Sequence, residues 1–274
     1  MSQPRVSEWI AGAYFAYLFA AAWIVPPWPR RRAAAAASLV AAVAAGLLSS
    51  FWPAGPRAAV VRDWLPALYL VVGYWLSGWY FAAPMAAVER RFLAIDGRVL
   101  GCDKGAALVD RLPRPVLEML ELAYVTCFLF VPGGLLVLTL AGHRDAADRF
   151  WTLVLLGELG SFGVLPWIQT RPPRLIEPPG ALDRRGLLMR RMNRLQIETV
   201  SIGVNTFPSG HVAGSLATAI AVGERMPVLA PWLLAAAALI SIAAVLGRYH
   251  YVIDAVAGVL LALLAWGVTA ILWR

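Results

Sequence analysis

The chain has 274 residues, of which 60% are hydrophobic, only 15% charged and 12 tryptophan, with a formal net charge of +8. That balance lies outside ordinary soluble usage and makes the membrane the first environment to consider. The basic residues sit in short stretches between apolar runs and form no reading motif, which argues against a nucleic-acid partner, while their charge suits anionic membrane lipids or a phosphate substrate.

Eight apolar runs follow in chain order, at residues 9–25, 33–52, 64–83, 116–141, 150–168, 208–222, 228–246 and 252–272. A spanning helix needs roughly 20 apolar residues, because each rises about 1.5 Å and the hydrocarbon core is about 30 Å thick. The fold class expected is therefore all-α, a polytopic transmembrane helix bundle of about eight spans. The run 33–52 is alanine-rich and weakly lipophilic, and the run 208–222 is short. Only Arg5 precedes the first run and no cleavage site follows it, so it reads as a retained helix. Trp9, Trp52 and Trp64, near span ends, read as interfacial anchors.

Within the polar segment 85–112, Val88, Phe92 and Ile95 recur at helical spacing among Glu89, Arg90, Arg91 and Asp96, which predicts an amphipathic interfacial helix. The longest polar connection, 169–207, is rich in arginine and carries the pairs Pro172-Pro173 and Pro178-Pro179. Cys102 and Cys127 show neither a CxxC spacing nor a nearby histidine, so they read as isolated thiols. Glu158 falls near the middle of the fifth run, where a charged carboxylate costs several kcal/mol by rough insertion scales, so it should face the bundle or be protonated. No repeat and no separating linker is visible.

Alternating the loops between two sides puts 17 of the 24 Lys and Arg residues opposite the N-terminus and 7 beside it. Positive short loops are retained inside, so the long connection is expected in the cytoplasm, of what we read as a bacterial cytoplasmic membrane.

Of three histidines, His211 and His250 fall at run ends on that same side, and His143 on the other. Pro208-Ser209-Gly210-His211 opens a helix, whose free N–H groups and partial positive charge suit a phosphate. Ser209 can cap the helix or donate to a phosphoryl oxygen, and Gly210 leaves the backbone open to the anion. In Arg248-Tyr249-His250-Tyr251-Val252-Ile253-Asp254, the histidine and aspartate are four apart, so on a helix they share a face. The carboxylate would fix the imidazole tautomer and free its other nitrogen for attack. Thr170-Arg171-Pro172-Pro173-Arg174 supplies guanidinium forks that match phosphate oxygens. Each element also has a bland reading: an ordinary N-cap, an interfacial ion pair, a topology signal.

Together, the three elements resemble, in order and separation, the motifs of the membrane-bound type-2 phosphatidic acid phosphatase superfamily. The resemblance implies a six-helix catalytic core over 64–274, with 1–63 as an N-terminal two-helix addition. It implies His250 as nucleophile, Asp254 as its support, and His211 as the acid that protonates the leaving oxygen. Arg171, Ser209, the Gly210 backbone and, with Arg174, Arg248 would bind the phosphoryl group. No cofactor and no metal are implied. Two departures stand out: Val164 occupies the family's usual lysine position and Ala244 the usual arginine position of the third motif. This pattern looks more like the inositol phosphorylceramide synthase branch, which transfers a head group to an alcohol acceptor. Hydrolysis of a lipid phosphate or diphosphate is the expected reaction, head-group transfer the alternative, and a non-catalytic lipid-binding homologue the third. An apolar groove accepts many tails with similar energy, so the residues fix neither the lipid chain nor an oligomeric state.

Overall fold

The computed structural model describes residues 3–24, 30–101, 105–178 and 180–274. Cys102 and Pro179 of the sequence reading lie outside the described residues. Among the described residues there are twelve α-helices and no β-strand. The eight apolar runs become the eight long helices α1 (Val6–Ile24), α2 (Arg31–Phe51), α3 (Pro56–Gly78), α6 (Arg114–Leu140), α7 (Ala147–Phe162), α10 (Gly210–Arg225), α11 (Ala230–Leu246) and α12 (Val252–Leu272). Of these, α2, α6 and α12 are each long and apolar enough to cross a membrane. The apolar helices fit an integral membrane protein.

Small residues set how closely the helices pack. Along α12, Asp254, Gly258, Ala262, Ala265 and Thr269 are buried at three- and four-residue spacing, whereas Leu260, Leu264 and Ile271 are exposed. A face of small residues lets backbones approach where lipid supplies no hydrophobic drive between helices, and the large apolar side chains are left for the lipid. The centre of the bundle is α10, buried along most of its length and packed on α6, α7, α11 and α12. A Cβ on Gly258 would lie 2.7 Å from the Ser209 carbonyl oxygen, so only glycine lets α12 reach the start of α10.

Two boundaries differ from the apolar runs. Helix α3 starts eight residues before the run beginning at 64, because Arg62 and Asp63 are buried in ion pairs with Glu8 and with Arg5 and Arg144. Residue 63 thus lies inside α3, and α1 packs on α2, α3 and α7. Helix α7 ends at Phe162, and residues 163–169 turn toward the site.

The segment 85–112 forms α4 (Ala86–Leu100) and α5 (Ala106–Arg111). The connection 169–207 also holds α8 (Ala181–Arg184) and α9 (Leu188–Val200). Helix α9 exposes Leu188, Met192 and Leu195 at i, i+4 and i+7 and buries Arg190 and Asn193, a pattern visible in the residues once that stretch is tested for helical period.

Candidate active site

Three segments meet at one end of the bundle, joined by backbone hydrogen bonds. Asn205 N–H donates to the Thr170 carbonyl at 2.9 Å, Arg174 N–H to the Arg248 carbonyl at 3.1 Å, and Ser209 N–H to the Asp254 carbonyl at 2.9 Å. The Tyr251 hydroxyl donates to the Arg171 carbonyl at 2.8 Å. The segments are far apart in sequence, so their placement is fixed by pairing and not by local propensity.

The turn before His250 has a local cause. Tyr249 N–H returns to the Ala244 carbonyl and Arg248 N–H to the Val245 carbonyl, which closes α11 in a Schellman motif. Arg248 occupies its left-handed position at φ 59, where glycine is usual. This reversal delivers His250 to the site and lets α12 begin two residues later.

His211, in the first turn of α10, stands with its ring centroid 5.8 Å from that of His250, the rings at 88°. Tyr124 and Phe128 of α6 hold the His211 ring edge-on at 5.5 and 4.9 Å. Asp254 Oδ2 accepts from Tyr251 N–H at 3.0 Å and faces His250 Nδ1 at 3.3 Å, and the described residues give the other ring nitrogen no hydrogen bond. Burial, followed by the positive charge of Arg174, pushes the His250 imidazole down to about 3, so it is neutral at pH 7. A neutral ring with a defined tautomer is the form that can attack phosphorus. Arg174 lines the same narrow cleft as both histidines and lies over the Tyr249 ring at 5.7 Å. It has no carboxylate partner among the described residues. His143 follows α6, whose stretch from Tyr124 to Leu140 runs roughly 24 Å, so it lies at the opposite end of the bundle.

A family model of the PAP2 superfamily matches residues 97–268, more than half of the chain and all three segments of the site. The chain belongs to the PAP2 superfamily. No curated protein and no solved structure matches it.

The remaining predicted site residues of this PAP2 chain divide. The Arg171 guanidinium is held by Glu89 at 2.8 and 3.1 Å, and this pairing keeps the Glu89 carboxyl below the usual carboxylate range. Arg248 pairs with Asp96 and Glu177, each at 2.8 Å. Ser209 is fully buried and caps α10, its Oγ accepting from Val212 N–H at 3.4 Å. At Gly210 the missing side chain makes room for the Phe162 ring, 2.7 Å from where a Cβ would stand.

Several residues around the PAP2 site were not assigned to it from sequence. On α4, Glu89, Phe92 and Asp96 share one inward face: Glu89 takes Arg171, Phe92 packs on Phe207 and Tyr251, and Asp96 accepts from Val252 N–H at 2.8 Å. Beneath Tyr249, which stacks on Tyr124 at 3.9 Å, the Tyr249 hydroxyl donates to Glu121 at 2.6 Å. Glu121 also takes Arg190 at 2.8 Å and Asn193 at 2.7 Å. The spacing of acids on α4 was legible, but which arginine each would meet depended on the tertiary fold.

Proposed function

We propose that this PAP2 chain hydrolyses a phosphate or diphosphate ester of a membrane lipid through a phosphohistidine on His250. Membership of the superfamily supports phosphatase or phosphotransferase chemistry in general. The observation that carries the finer reading is the pairing of His211 and His250 in one cleft with an arginine that has no carboxylate partner among the described residues, His211 also lining an apolar cavity of about 510 Å³. In this reading Arg174 binds the phosphoryl oxygens, and the free nitrogen of His250 attacks phosphorus. His211, protonated from solvent beside the negative charge of the bound phosphate, gives the departing lipid oxygen that proton, and it then takes one from the water that cleaves the phosphorus–nitrogen bond. Asp254 steadies the imidazole as it gains positive charge. Arg171 and Arg248 tie the first and third segments to α4 and the long connection through Glu89, Asp96 and Glu177, and the N-terminus of α10 adds positive potential.

The second reading, transfer of a phosphoryl-linked head group to an alcohol, is favoured by Val164 and Ala244 at positions where hydrolytic relatives usually carry lysine and arginine. The experiment is incubation of the purified chain with radiolabelled lipid phosphates and a chelator. Release of inorganic phosphate and an acid-labile phosphoenzyme absent from His250→Ala are expected. Turnover only after adding an acceptor alcohol selects transfer, and an absolute Mg²⁺ requirement overturns the mechanism.

A further inference from the structure

Helix α7 carries two carboxylates outside the site as described: Asp148, which accepts from the backbone of Val6 and Ser7, and Glu158. The Glu158 side chain is half-buried and lines the 510 Å³ cavity together with Phe128, Val131 and His211. Among the described residues it has no ion pair and no hydrogen-bond donor, so neither of the usual reasons for a carboxyl facing an apolar cavity inside a bundle applies. The carboxyl lies against Gly214 of α10, where any Cβ would collide with it. The glycine opposite leaves room for the carboxyl to stand beside the cavity.

The same cavity is lined by Val71 and Trp75 of α3, both also exposed on the outer surface, so it reaches from the lipid-facing side to His211. Gly214 is three residues after His211, which puts Glu158 about one helical turn, roughly 5 Å, below the histidine along α10. A lipid whose phosphate sits at the histidines would carry its second and third carbons past Glu158. An apolar tail there leaves the carboxyl without a partner; a hydroxyl or amide satisfies it.

We propose that Glu158 is a specificity-determining residue that hydrogen-bonds a hydroxyl or amide on the carbons next to the substrate's phosphate, selecting such lipids over purely hydrocarbon phosphates. This rests on the reading that the phosphate binds between His211 and His250. Discrimination of this kind is about tenfold for a single buried hydrogen bond, because the disfavoured lipid leaves the polar group unpaired.

The test uses the full chain in detergent micelles with two lipids of equal tail: 1-oleoyl lysophosphatidic acid, and its analogue lacking the glycerol hydroxyl. Both kcat/KM and binding of the corresponding non-hydrolysable phosphonates are measured. The native chain should favour the hydroxylated lipid about tenfold in both. In Glu158→Leu the ratio should fall to within about twofold, and Glu158→Gln should keep most of it. Gly214→Ala, which displaces the carboxyl without removing it, should lower the ratio independently and serves if Glu158→Leu does not fold. Equal binding of the two phosphonates by the native chain, or an unchanged ratio in both Glu158→Leu and Gly214→Ala, overturns the proposal. If neither lipid is turned over but the phosphonate preference follows Glu158, hydrolysis fails and this inference stands; turnover without preference gives the reverse.

Discussion

At the scale of single residues, the two arginines of the first segment separate by their partners. Arg174→Ala should raise KM for a lipid phosphate at least about tenfold, the usual size for losing a charge-assisted contact to phosphate. Arg171→Ala should instead lower the melting temperature, since buried Glu89 loses its counter-charge, and should change KM less. The reverse order would restore Arg171 as the phosphate ligand. The pH response of His250 has a defined sign. Its folded value near 3 lies below the ordinary 6.5, so the unfolded chain takes up a proton that the native chain does not as pH falls between these limits. This group therefore makes the fold less stable as the solution is acidified from pH 7 to 5. Arg174, His211, Tyr249 and Asp254 face the same ring, so the comparison is with His250→Asn. The melting temperature of the native chain should fall more steeply from pH 7 to 5, and equal slopes would contradict a buried neutral imidazole.

At the scale of elements, the contact of α12 with α10 is set by one missing side chain. Gly258→Ala places a Cβ 2.7 Å from a backbone oxygen, which cannot swing aside as a flexible side chain can. The helices must part, at about 1–3 kcal/mol. His211 follows Ser209 by two residues and His250 precedes Gly258 by eight, so kcat should fall together with the melting temperature. Full activity in Gly258→Ala would show that the histidine spacing tolerates such a shift. The α4 helix illustrates what periodicity alone conveys. Its amphipathic pattern predicted a helix, and Ala86–Leu100 is helical. The acids Glu89 and Asp96, polar by composition, turn inward because arginines and a helix N-terminus wait for them. A hydropathy pattern ranks residues by solvent preference and carries no information about a distant counter-charge.

At the scale of the whole molecule, the site end and the opposite end are stabilised separately. Far from the histidines, Arg62 and Glu8 pair at 2.6 Å with side chains 5% and 1% exposed. Glu8→Ala should cost about 3–5 kcal/mol by leaving a buried charge, read as a lower melting temperature with KM for substrate unchanged. A change in KM would mean that α1 and α3 act on the cavity as well. For orientation, the charge count leads us to expect the 169–207 connection in the cytoplasm. An epitope inserted after exposed Gly186 should be protected from external protease in intact cells, and cleavage there would invert the topology.

The sequence by itself determined the eight long apolar helices, because apolar length is a one-dimensional property of the chain, but not the short helices α5, α8 and α9. It also marked His211, His250, Asp254 and Arg174, because short motifs keep reactive groups at fixed spacing. Only the tertiary structure decided that Arg171 and Arg248 would be held by carboxylates of α4 and the long connection, and that Glu158 would border a cavity. Those outcomes depend on which helix faces which, through contacts between residues tens of positions apart.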